Sequence, residues 1–216
     1  LRDNLKHPFR LFYVITTQFR SVITRGFKAA IELRKINKGS KARPNVLFIT
    51  YHSVSYPIMK SQGLPYIENL YQKGVRYSLL TFETKISLEG FNGSFGELKG
   101  ALNWRHLFYH QRPRVLAKAW DIFCGIFTAA FIIKEDGINI VHARGLVPAV
   151  IAFFPAKMLG IKFFFDTRGL LADKYVGGAL LREASLLYNL MRRVEDFLVK
   201  KSDYFTVETV KHAEII

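Results

Sequence analysis

From residue 44 onward the chain alternates short, continuous apolar runs with longer segments whose apolar positions recur at steps of three and four. A continuous run suits a strand buried on both faces, and the three-four recurrence suits an amphipathic helix. The runs Asn45 to Tyr51, Arg76 to Glu83, Leu102 to Leu107, Ile138 to His142, Ile161 to Asp166 and Tyr204 to Val207 predict strands. Between them, Pro65 to Lys73, Pro113 to Asp136, Val147 to Leu159 and Ala179 to Lys201 predict helices, and another begins at Lys211. Gly74, Gly137 and Gly160 follow helix ends, where left-handed backbone favours glycine. Lys85 to Gly100 reads as a polar, glycine-containing connection. Alternation of this kind predicts repeated βαβ units: an α/β, Rossmann-like open parallel sheet with helices on both faces and fully buried strands.

The first 43 residues differ. Phe9, Phe12, Tyr13, Thr16, Phe19, Ile23, Phe27, Ala30 and Ile31 fall at helical spacing, with Arg10, Arg20, Arg25, Lys28 and Arg34 around the other faces. This predicts a basic amphipathic helix, joined to the rest by a polar linker at Asn37 to Lys41 and Pro44. Such a helix suits an anionic membrane surface, or simply packs on its own domain. The domain division is therefore 1–43, helical segment and linker, and 44–216, the α/β domain.

Charge sharpens the picture. Of 216 residues, half are apolar and 23% charged, enough to bury a core and too apolar for general disorder. The net charge is +15, and residues 1–43 alone contribute +9. An anionic partner is expected: a phosphorylated ligand, an acidic membrane or nucleic acid. The aromatic residues of the basic segment sit at helix-core spacing and form no RNA-binding strand motif, which disfavours nucleic acid. The single Cys124 excludes an internal disulfide framework and suits a reducing, cytoplasmic compartment. The best candidate for a membrane span, Ile122 to Ile133, is too short, and the next, Leu146 to Phe165, carries Lys157, Lys162 and two prolines. The chain starts at Leu1 and stops in an apolar stretch at Ile216, and reads as a fragment of a longer protein.

In open parallel sheets, ligands bind beyond the carboxyl ends of the strands. Those ends select His52 after the first strand, Tyr109, His110 and Arg112 after the third, and His142, Arg144 and Gly145 after the fourth. After the fifth come Asp166, Thr167, Arg168, Gly169 and Asp173. Asp166 and Arg168 are two apart in extended chain, so both can enter one cleft, or they form an ion pair that fixes the loop. Arg144 beside Gly145 suits an anion or sugar contact, and His142 reads as a hydrogen-bonded strand-end histidine. Gln62-Gly63 precedes Leu64-Pro65, so the amides at this helix start can face a phosphate, or the glycine makes a tight entry turn. His106 and His110 are four apart, but no carboxylate stands at ligand spacing, so no metal site is expected. No Gly-x-Ser-x-Gly elbow is present, and covalent acyl chemistry lacks a nucleophile.

Five stretches carry a family resemblance. They are Asn45-Val46-Leu47-Phe48-Ile49, then Gln62 to Leu70 with Lys73-Gly74-Val75, then Trp104 to His110, then Val141-His142-Ala143-Arg144-Gly145, and Phe165-Asp166-Thr167-Arg168-Gly169 with Asp173. In this order and spacing, residues 44–216 resemble the N-terminal, acceptor-side domain of family 4 glycosyltransferases of the two-domain GT-B fold. The resemblance implies transfer of a sugar from a nucleotide-sugar donor to a saccharide or lipid-linked acceptor, with retention, in cell-surface polysaccharide synthesis, and with neither metal nor cofactor. It implies Asp166 and Arg168 as catalytic residues, with His52, Gln62, Gly63, Tyr109, His110, Arg144, Gly145 and Asp173 binding substrate.

Many relatives carry histidine where this chain has Asp166. The family's donor domain, with two glutamates separated by seven residues, has no counterpart here; Glu89 and Glu97 have that spacing but come too early in the chain. The expectation is an acceptor-side half, inactive alone, peripheral on the inner membrane face through residues 1–43. The alternative is a catalytically incomplete membrane- or partner-binding module.

Overall fold

The computed structural model describes residues 43–89, 91, 95, 98, 100–167, 177 and 185–207. The basic helix expected in the first 42 residues and the helix beginning at Lys211 lie outside them.

Six parallel strands form one sheet: β1 (Asn45–Thr50), β2 (Arg76–Glu83), β3 (Asn103–Phe108), β4 (Ile140–Arg144), β5 (Lys162–Asp166) and β6 (Tyr204–Thr206). Their spatial order is β3-β2-β1-β4-β5-β6. The chain runs outward from β1 to β3, then crosses back and runs outward the other way from β4. The strand order therefore reverses between β1 and β4, the place where doubly wound sheets open a crevice. Among the described residues the α-helices are α1 (Leu64–Gln72), a short α2 (Lys85–Glu89), α3 (Arg114–Glu135), α4 (Leu146–Leu159) and α5 (Leu186–Lys201).

Right-handed crossovers put α1 on one face of the sheet and α3, α4 and α5 on the other. Side-chain alternation along the strands agrees. Val46, Phe48, Tyr77 and Leu79 cluster with Ile67 of α1 and with Met59. On the opposite face, Phe153 of α4 meets Phe163 of β5 and Phe197 of α5. Gly125 of α3 lets that helix approach α4 closely, because a Cβ there would stand 2.8 Å from Ile151 Cδ1.

Several sequence expectations are corrected. Full burial holds for β1, β2 and β4 after their first residues, but β5 is only partly buried, β3 mixes exposed and half-buried residues and β6 is exposed throughout. β3 and β6 are edge strands, with one flank and part of a face left uncovered. The connection expected to be polar contains α2, and its Phe91 and Phe95 pack edge-on to Trp104. The helix expected to begin at Pro65 is preceded by a π-helical stretch, Met59–Gly63. Widening the turn there accommodates Pro65, which lacks an amide hydrogen and would crowd the preceding turn of a regular helix. Val115–Glu135 in α3 is long and apolar enough to cross a membrane by length and composition, which the sequence reading of uncharged runs missed. In this fold it is a crossover helix whose Ala129, Ile132 and Ile133 are buried.

Candidate functional site

The register of the sheet aligns Thr50, Arg144, Asp166 and Thr206 across β1, β4, β5 and β6 at the carboxyl edge. Two residues earlier, Phe48, His142, Phe164 and Tyr204 form a parallel row. Both rows point to the α1 face. There α1 covers β1 and β2, while the helices that follow β4 and β5 lie on the opposite face. A cavity of about 330 Å³ opens in this space, lined by Gln62, Tyr66, His142, Arg144, Phe164, Asp166, Thr206 and Val207.

Arg144 is buried and donates a 2.7 Å hydrogen bond to Gln62 Oε1. Its Nε lies 3.9 Å from Asp166 Oδ2, and Thr206 Oγ1 donates to Asp166 Oδ1 at 3.2 Å. His142 is 3% exposed, with Nε2 3.8 Å from Asp166 Oδ2, an electrostatic contact too long for a hydrogen bond. Its ring stacks on Phe164 at 4.2 Å and meets Phe48 and Tyr66 edge-on. Burial is the main cause that lowers its pKa; Asp166 opposes the shift and Arg144 adds to it, so the imidazole is neutral at pH 7. Burial, then the charge of Asp166, raises the Tyr66 phenol, which stays protonated. The cavity thus joins a cation, a carboxylate, neutral donors and acceptors, and aromatic walls.

Of the sequence candidates, Gln62, Arg144 and Asp166 meet here. Gly145 follows Arg144 with φ +93°, a conformation that favours glycine, and its amide donates to the Asp166 carbonyl at 2.8 Å. Gly63 is buried: a Cβ there would stand 2.7 Å from Met59 Sδ. The Leu64 amide bonds back to the Met59 carbonyl, so this segment is helix interior and not the open helix start expected from sequence. His52 lies outside the cavity lining, stacked on Tyr56. Partial desolvation, then the charges of Arg144 and Lys118, lower its pKa. Arg168 and Asp173 lie outside the described residues.

Tyr109 and His110 sit beyond β3, on the α3 side. There Asp121, almost fully buried, accepts hydrogen bonds from the Tyr51 hydroxyl at 2.5 Å and the His110 amide at 3.2 Å, with His110 Nδ1 2.6 Å from its other oxygen. The Lys118 ammonium rests over the Tyr51 ring, 3.9 Å from its centre. Tyr109 and His110 are thus gathered around Asp121 and are not among the residues that line the cavity. His142, read from sequence as a hydrogen-bonded strand-end histidine, lines the cavity, and neither of its ring nitrogens has a hydrogen-bond partner among the described residues. Tyr66 and Thr206 gave no sequence signal, because only sheet register and the placement of α1 bring them in.

Comparison with solved structures bears on this fold. The chain is similar to a putative UDP-N-acetylglucosamine 2-epimerase from Listeria monocytogenes (TM-score 0.54, 11% identity, 80% of this chain and 41% of that one). It is similar to UGT89C1 of Arabidopsis thaliana in complex with UDP (TM-score 0.52, 10% identity, 81% and 47%) and to sucrose-phosphate synthase from Thermosynechococcus elongatus (TM-score 0.51, 13% identity, 76% and 42%). The fold is that of a GT-B domain. No protein-family model and no curated protein matches the sequence. The chain spans less than half the length of each of these three GT-B neighbours. The GT-B fold fits the strand reversal between β1 and β4, where the cavity opens.

Proposed function

We propose that this chain is the acceptor-side half of a retaining glycosyltransferase, which moves a sugar from a nucleotide-sugar donor to a saccharide or lipid-linked acceptor in cell-surface polysaccharide synthesis. The observation that carries the reading is the convergence of Arg144, Asp166 and Gln62 with Tyr66 and Phe164 in one cavity at the strand reversal. Aromatic walls suit the apolar faces of a sugar ring. Arg144 is placed to face negative charge, and Asp166 to accept hydrogen bonds from hydroxyls. Arg168, two residues beyond Asp166 in sequence, is proposed to add a second cation. Catalysis on this reading comes from positioning and electrostatic stabilisation of the leaving diphosphate. Residues 1–43, with their basic and aromatic pattern, are proposed to hold the protein on the anionic inner face of a membrane.

The test is a panel of nucleotide sugars incubated with saccharide and lipid-linked acceptors, comparing wild type with Asp166→Asn and Arg144→Met. We expect transfer in the full-length enzyme and at least a hundred-fold lower kcat/KM in both variants. Turnover near wild type in both would remove the cavity from the reaction. The epimerase among the structural neighbours supports a second reading, so the same incubations follow epimerisation of the donor. Epimerised donor without transfer would replace the transferase reading. Binding without either reaction would favour a catalytically incomplete module.

A further inference from the structure

His142 presents an unsatisfied problem in hydrogen bonding. It is 97% buried by side chain, caged by Phe48, Phe164 and Tyr66, and lines the cavity. A neutral imidazole carries one N–H and one lone pair. Neither ring nitrogen has a hydrogen-bond partner among the described residues. Buried polar atoms are nearly always paired, so an orphaned pair on a side chain that lines a cavity points to a group that enters it.

The surrounding distances define that group. Asp166 Oδ2 lies 3.8 Å from His142 Nε2 and 3.9 Å from Arg144 Nε. Each gap is too long for a direct hydrogen bond, yet a single oxygen can stand about 2.8 Å from both atoms that bound it. With the imidazole proton on Nε2, the nitrogen that faces the Asp166 carboxylate, an oxygen between His142 and Asp166 accepts from that N–H and donates to the carboxylate. A hydroxyl does both. A fully ionised phosphate oxygen accepts only, and the carboxylate repels it. The second gap shares the same carboxylate oxygen and offers the Arg144 N–H, so an adjacent hydroxyl meets the same demand there.

We propose that His142, with Asp166 and Arg144, reads a vicinal diol of a neutral sugar ring, one hydroxyl lodging between His142 and Asp166 and its neighbour between Asp166 and Arg144. The inference rests on the reading of the cavity as a sugar site, and it assigns the cavity to a sugar ring in preference to phosphate. His142 is then a specificity-determining residue.

The experiment uses the full chain with methyl glucopyranoside, methyl mannopyranoside and methyl galactopyranoside as probes, and inorganic phosphate and UDP as anionic controls. Binding is followed by NMR titration, reading the His142 imidazole nitrogen resonances in wild type and the affinity in His142→Phe. We expect at least one glycoside to shift the His142 nitrogens, and its affinity to fall at least tenfold in His142→Phe. The Tm of that variant should stay level or rise, because its aromatic cage accepts a phenyl ring and two orphaned nitrogens disappear. Equal glycoside affinity in the variant would overturn the inference. So would a lowered Tm with nitrogen resonances indifferent to glycosides, which makes His142 structural. Displacement of the glycosides by phosphate at the His142 signals, or no glycoside binding at all, would also overturn it. The readout is binding, so sugar transfer can fail while this inference stands, and transfer can succeed while it falls.

Discussion

Arg144 and Gln62, 82 residues apart in sequence, share a 2.7 Å hydrogen bond that ties the tip of β4 to the π-helical stretch after β1. That bond closes one wall of the cavity across the strand reversal. Arg144→Met removes the donor, leaves Gln62 Oε1 without it and strips Asp166 of a nearby cation. We expect a loss of about 1–3 kcal/mol in unfolding free energy by urea denaturation. Arg144→Lys should recover only part of this, because an ammonium lacks the planar fork of a guanidinium. Full recovery by lysine would mean that charge alone matters at this position.

Asp136 sets an acid limit on stability. Arg105 holds it with two hydrogen bonds, at 2.6 and 3.0 Å, and Ser78 donates another at 2.5 Å. Burial acts to raise its pKa, but these hydrogen bonds outweigh it and the net shift is downward. A carboxyl whose folded pKa lies below its unfolded value of about 3.9 contributes fully above that value. The contribution drains away as pH falls through the lower folded value. Asp136→Asn should therefore be less stable than wild type at pH 7 and converge with it at low pH. A constant stability difference from pH 6 down to pH 2 would contradict this assignment.

Glu83 anchors the loop after β1 from the end of β2. It is fully buried, accepts from the Val54 amide at 2.8 Å and from Ser87 Oγ at 2.8 Å. Glu83→Leu leaves that buried amide without its acceptor. The expected cost is about 1–3 kcal/mol, with faster hydrogen exchange at Val54 as the local signature. Unchanged exchange at Val54 would show that the carboxylate does not hold the loop.

The close approach of α3 to α4 at Gly125 leaves little room for a methyl group. Gly125→Ala should destabilise by about 1–3 kcal/mol through overpacking against Ile151. Trimming the partner with Ile151→Val removes the Cδ1 atom that stands nearest. In a double-mutant cycle by chemical denaturation, the pair should be less destabilised than the sum of the single changes. Strict additivity would place the strain elsewhere.

Removing residues 1–43 tests the membrane proposal. Co-sedimentation with anionic vesicles should fall sharply on truncation and on raising salt, since exposed basic residues act over about a Debye length, roughly 8–10 Å at moderate ionic strength. Equal pelleting of the truncated chain would assign membrane contact to another surface.

Hydrophobic patterning by itself determined the α/β class, the six strands and the main crossover helices. Continuous apolar runs and three-four periodicity are local consequences of burial, and each is written within one segment. It also marked Arg144 and Asp166, because strand ends in a parallel sheet are where ligands bind. Only the tertiary structure decided which tips meet. Strand order put β3 at one edge and β5 near the other, so His110 joined Asp121 on the α3 face while Arg144 joined Asp166 beneath the exposed flank of α1. The same packing left the His142 ring nitrogens without a hydrogen-bond partner among the described residues and brought Tyr66 and Thr206 to the same cavity. Crossover handedness, register and the choice of covered face are relations between segments distant in sequence, and no single segment records them.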